Sequence, residues 1–154
     1  MQRHPALPDP IRPAATLAEL VVVIAIIALV SGFVLPPLKR GFDRLQTRAA
    51  AQAALQAFFT ARANAIAQGR RTVVVLDAKR TRVLVTAAGD TLLARAIGSE
   101  HGVAMTASRD SMAFFPDGLG LGGANLSVVI RRGDAADTVI VSREGRAKLG
   151  TRAR

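Results

Sequence analysis

The chain has no cysteine, no tryptophan and no tyrosine, and only two histidines among its 154 residues. Without cysteine there is no disulfide framework, no thiolate nucleophile and no cysteine-ligated zinc. With six phenylalanines as its only aromatic rings, it is poorly equipped to bind single-stranded nucleic acid by base stacking. Acids are scarce as well: 11 Asp and Glu against 21 Lys and Arg give a formal charge of +10. That surplus favours anionic partners without choosing among nucleic acid, acidic lipid and acidic protein. His4 and His101 are too far apart to form a metal-ligand pair, and no paired carboxylates stand out for acid–base work. Ser99, Glu100 and His101 are neighbours in sequence, whereas a catalytic triad is assembled in space. Asp134 and Asp137 lack the alternating oxygen ligands of a calcium loop. The chain therefore reads as non-enzymatic, without cofactor or metal.

What it does have is one long apolar run. Residues 17–35, LAELVVVIAIIALVSGFVL, would span about 28 Å as a helix, close to the roughly 30 Å hydrocarbon core of a bilayer. Three readings compete: a single membrane helix, a secretory signal cut near Ser31-Gly32, and a buried helix of a soluble protein. The signal reading sits poorly with Glu19 inside the run and with the long proline-rich opening. The buried reading lacks any other segment apolar enough to wrap a helix with no polar face. Flanking charge, with Arg3 and Arg12 before the run and Lys39, Arg40, Arg44 and Arg48 after it, would by itself hold the C-terminal side in the cytoplasm.

After Pro36 and Pro37, residues 38–68 predict an amphipathic helix. Leu38, Phe42, Leu45, Ala49, Phe59, Ala63 and Ile66 recur at three- and four-residue spacing, and Leu55 and Phe58 widen the stripe. Arg40, Arg44, Arg48 and Arg62 lie largely off it, and Gly69 supplies a stop. From Thr72 the period becomes two, with strands expected at 72–77, 81–86, 91–97, 103–107, 112–115, 126–131 and 138–142. Short strands joined by turns point to an α+β fold, an antiparallel sheet packed on the amphipathic helix. The glycine cluster 120–123 leads into a strand rather than a helix, so it reads as a hairpin loop and not a nucleotide cradle.

The stretch AATLAELVVVIAIIALVSGFVLP resembles the N-terminus of type IV pilins and of the pseudopilins of type II secretion. Their hallmark is a Gly followed by Phe-Thr-Leu-Ile-Glu and an apolar helix; Thr16, Leu17 and Glu19 fall on the pattern, and Ala14, Ala15 and Ala18 depart from it. The segments FTARANAIAQGRRTVVVLD, MAFFPDGLGLGG and TVIVSREGRAKL resemble the soluble domain of the GspH/FimT family of minor pseudopilins and minor pilins. The resemblance implies a pilin-like fold with a leader over 1–14, a transmembrane half-helix over 15–37 and a periplasmic domain over 38–154, its amphipathic helix at 38–68 and its β-rich part at 72–150. It also implies cleavage by prepilin peptidase between Ala14 and Ala15, and N-methylation of Ala15. Glu19 would act in assembly by facing the free amine of a neighbouring subunit, and Pro36 would bend the helix. A contact loop carrying Phe115, Asp117 and Gly118 would meet other minor and major pseudopilins. The implied role is structural, in the pseudopilus of type II secretion at the inner membrane. The FimT side of the family implies DNA capture by a basic tail, here Arg146, Lys148, Arg152 and Arg154, in which Lys148 keeps charge but not bidentate geometry.

Overall fold

The computed structural model describes residues 16–121 and 125–150. A helix α1 (Leu17–Gln68) is followed by β1 (Thr72–Asp77), β2 (Arg82–Ala87), β3 (Asp90–Arg95), a short helix α2 (Ile97–His101), β4 (Ala104–Ala107), β5 (Ser111–Phe114), β6 (Gly120–Leu121), β7 (Leu126–Arg132), β8 (Ala135–Val141) and β9 (Ala147–Leu149). The chain divides into two units, Met1–Pro37 and Leu38–Arg154. The division follows two prolines inside α1. Neither has an amide hydrogen, so the carbonyls of Gly32 and Phe33 lose their i+4 donors in consecutive positions.

In the first unit, α1 starts with a cap. Thr16 Oγ1 accepts from the Glu19 amide at 3.2 Å, and the Thr16 carbonyl accepts from Leu20 at 3.1 Å. Thr-x-x-Glu is the spacing of a capping box, of which the hydroxyl half is formed here.

In the second unit, the strands make two antiparallel sheets, ordered β3-β2-β1-β5-β6 and β4-β7-β8-β9. The strands alternate, and one face of each sheet is buried: Val74, Leu76, Val83, Val85, Met112 and Phe114 from the first, Met105, Leu126, Val128, Ile130, Val139 and Val141 from the second. Both faces join one core with α1, whose contribution is Ala50, Ala51, Ala54, Ala57, Phe58, Ala61 and Ala65. The sheets supply the bulk of this core and the helix supplies mostly small residues. Gly120 N–H donates to the Arg143 carbonyl at 3.1 Å and ties the two sheets together.

The sequence-based stripe is corrected at this point. Leu38 is 65%, Phe42 51%, Leu45 71%, Phe59 50% and Ile66 52% exposed. The helix therefore presents most of its large apolar residues outward and most of its alanines inward; of the stripe, Phe58 is buried and Ala49 and Leu55 are half-buried. The expected strand at 91–97 ends at Arg95, because Ile97 opens α2, which stops at Gly102 in a left-handed conformation. The Gly145-Arg146 pair lies at the turn before β9, where Gly145 N–H donates to the Ser142 carbonyl at 3.0 Å. Gly145 has φ +75, and a Cβ there would stand 2.5 Å from the Gly118 carbonyl oxygen, so no other residue fits without displacing that turn.

Candidate assembly surface

Each unit carries its own exposed feature of α1. In the first unit, none of the apolar residues from Leu17 to Leu35 is buried, and the helix is long and apolar enough to cross a membrane. Glu19 stands exposed in its first turn. In the second unit, the outward stripe has steps of four and three residues: Leu38, Phe42, Leu45, Ala49, Gln52, Gln56, Phe59, Ala63 and Ile66. A mean period of 3.5 keeps such a seam on one side of a helix, which is the geometry that packs against another helix. Its two ends are apolar and its middle is two glutamines.

The early turns of this stripe are fastened to the sheets by polar groups. Asp43, 8% exposed, accepts from Arg132 Nε at 2.8 Å. The same guanidinium donates through Nη1 to the His101 carbonyl and sits 5.2 Å from the centre of the Phe42 ring, within the range of a cation–π contact. His101 Nδ1 meets Gln46 Oε1 at 3.0 Å, and Thr47 Oγ1 donates to the Asp43 carbonyl at 2.8 Å. Arg48 Nη1 reaches Asp137 Oδ1 at 4.0 Å. Asp43 and its link to Arg132 were not anticipated: an acid between Arg40 and Arg44 reads as surface charge, and its partner lies 89 residues away. On the far side, Arg95 donates to Glu100 Oε2 from Nε and Nη2 at 3.2 and 2.8 Å, and that hydrogen bonding holds the Glu100 carboxyl below its ordinary range.

The other sequence-derived positions fall as follows. Ala14, Ala15, Arg152 and Arg154 lie outside the described residues. Pro36 is an exposed residue within α1. Phe115 is half-buried and Asp117 exposed, with Asp117 Oδ1 accepting from the Leu119 amide at 2.9 Å. Gly118 is buried, and a Cβ there would meet Ile66 Cδ1 at 2.9 Å. The turn thus seats against the end of α1 and offers Asp117 and Leu119 outward. Arg146 and Lys148 are both exposed and separated by the buried Ala147, which puts them on one side of the β9 segment.

A family described as type II transport protein GspH matches residues 50–145. A search of curated protein sequences finds no match. Among solved structures, the type IV minor pilin FimU of Pseudomonas aeruginosa is similar over 70% of this chain and 90% of its own, with 16% identity and a TM-score of 0.60. The minor pseudopilin EpsH of the Vibrio cholerae type II secretion system is similar over 72% of this chain and 97% of its own, with 12% identity and a TM-score of 0.58. A second structure of EpsH gives 13% identity and a TM-score of 0.54 over 68% and 95% of the two chains.

Proposed function

The chain belongs to the GspH family of type II transport proteins, and from that premise we propose that it is a minor pseudopilin that joins a type II secretion pseudopilus and assists protein export across the outer membrane. In this reading α1 holds the subunit in the inner membrane through its apolar turns, with the 38–154 domain in the periplasm. Prepilin peptidase cuts between Ala14 and Ala15, and the new Ala15 amine, methylated, faces Glu19 of a neighbouring subunit. Two opposite charges brought together in an apolar bundle set register more than they add stability. The Asp117 turn meets other minor subunits, and Pro36 gives the helix its bend.

The observation that carries the reading is the outward apolar face of α1, whose large residues Leu38, Phe42, Leu45, Phe59 and Ile66 all stay half or more exposed among the described residues. Exposed large apolar residues at coiled-coil spacing are costly unless another helix covers them. The test is co-expression with prepilin peptidase and partner pilin-like subunits, followed by N-terminal mass analysis and quantitation of the sheared filament fraction. Parent chain beginning at Ala15 should be incorporated. Glu19→Ala should be cut normally but poorly incorporated. Leu45→Gln with Phe59→Gln should reduce incorporation about tenfold or more, since each buried large apolar side chain contributes about 1.5–3 kcal/mol. Full incorporation of that double variant would refute the helix-face reading.

A second reading is supported by one specific observation, the exposure of Arg146 and Lys148 on the same side of β9. In it, these two residues together with Arg152 and Arg154 hold the DNA backbone during uptake, without sequence preference. Retention of duplex DNA by the full chain would then weaken steeply with salt, and Arg146→Gln with Lys148→Gln would lower the slope of log affinity against log salt by about 2. An unchanged slope would rule out contact through these two residues.

A further inference from the structure

The turns of α1 that follow its apolar run combine two kinds of exposed residue. Leu38, Phe42 and Leu45 are apolar and outward, and Lys39, Arg40 and Arg44 are exposed cations between them. The only acid from Pro36 to Arg48 is Asp43, and its charge is engaged by Arg132 at 2.8 Å. Asp134 lines the same shallow hollow as Arg40 and Arg44 and offsets one cation of the three, which leaves a surplus of two. Arg48 is directed elsewhere, toward Asp137.

Lys39, Arg40 and Arg44 follow Leu35 by four, five and nine residues. A chain that leaves the hydrocarbon core at Leu35 thus carries all three cations within its next nine residues, the stretch that meets the headgroup layer, several Å deep on each side, and the screening length of about 8–10 Å beyond it. Apolar side chains interleaved with cations at this depth are the composition of a segment that seats in the interface of an anionic membrane.

We propose that residues 38–45 form a docking surface for anionic phospholipid headgroups, in which Lys39, Arg40 and Arg44 gather acidic lipid around the foot of the soluble domain while Leu38 and Phe42 enter the interface. The inference rests on the membrane-anchor reading of α1. It is independent of filament assembly and concerns the single subunit. It also sets these cations beside anionic headgroups on the translocated side of a span, where positive charge is under-represented.

The absence of Trp from the chain makes Leu38→Trp a clean probe. Full-length Leu38→Trp protein is reconstituted in phosphatidylcholine vesicles with a minor fraction of phosphatidylglycerol, and one lipid or the other carries brominated acyl chains at equal mole fraction. Brominated phosphatidylglycerol should quench the introduced indole severalfold more than brominated phosphatidylcholine, and rising salt should erase the difference. Adding Lys39→Gln, Arg40→Gln and Arg44→Gln should bring the two lipids to near parity, since removing one such cation weakens headgroup attraction by up to about fivefold. Arg70→Gln with Arg71→Gln, exposed in the turn that follows the C-terminal end of α1, removes charge of the same sign far along the chain from the apolar run and should leave the preference intact. Equal quenching by both lipids in the parent, or a preference that survives the triple substitution or vanishes in the Arg70 and Arg71 variant, would overturn the proposal. Loss of preference to inorganic phosphate beyond that caused by chloride at matched ionic strength would assign the cations to free phosphate and overturn the lipid source. Absence of quenching by either lipid would overturn this proposal together with the anchor reading, whereas equal quenching leaves the anchor reading standing.

Discussion

Ala54→Leu is expected to destabilise the 38–154 domain by about 3 kcal/mol, whereas Leu45→Gln, nine residues earlier on the same helix, should change its stability by no more than about 0.5 kcal/mol. Ala54 is 0% exposed and Leu45 71% exposed. Leucine at 54 would have to push α1 away from two sheets whose inner faces are already filled by Val, Leu, Ile, Met and Phe. Interiors at native density absorb added methylenes by off-rotamer side chains and backbone shifts. For a domain of this size the loss corresponds to a midpoint lowered by roughly 10 °C. Thermal unfolding of the two variants beside the parent decides the matter. If the leucine at 54 is tolerated and the glutamine at 45 is not, the faces of α1 have been assigned the wrong way round.

The second large effect is at Asp43. Its side chain is 12% exposed and that of Arg132 29%, so Asp43→Ala strands a mostly buried guanidinium without its counter-charge. Loss of one partner of a buried pair costs about 3–5 kcal/mol, and the partial exposure of Arg132 reduces the expectation to about 2–3 kcal/mol. Pairing Asp43→Ala with Arg132→Met should recover most of that loss, because an apolar stem of similar length still covers the Phe42 ring. Urea unfolding of both single variants and the double variant gives the coupling directly. A double variant as weak as the sum of its parts would mean that the pair contributes nothing as a pair.

The β-rich half was legible because alternation has one meaning: β1 occupies the expected residues, and β2, β7 and β8 differ from expectation by a residue or a few at their ends. The helix faces were not. Spacing reveals that α1 has an apolar stripe, but the stripe with the larger residues draws the eye, and alanine scores as almost neutral although the alanines are what α1 buries against the filled inner faces of the sheets. Residues 49–54 hold three of the most deeply buried residues, Ala50, Ala51 and Ala54. Helix α2 escaped because five residues make little more than one turn, too few for an apolar spacing to repeat. The role of Thr16 and Glu19 in starting α1 was present in their three-residue spacing, overshadowed by the family pattern that includes the same two residues.

The paired prolines of α1 have a consequence for cooperativity. A helix passes order along its axis because each residue fixed lowers the cost of fixing the next, through the ladder of i to i+4 hydrogen bonds. Two successive rungs are absent at Pro36 and Pro37, so fraying on one side is passed to the other only through the rungs that remain. Melting of the domain half and dissolution of the apolar half become separate events, each governed by its own solvent. A denaturant titration in detergent should therefore register the domain transition alone, while the apolar turns keep their helicity in the micelle.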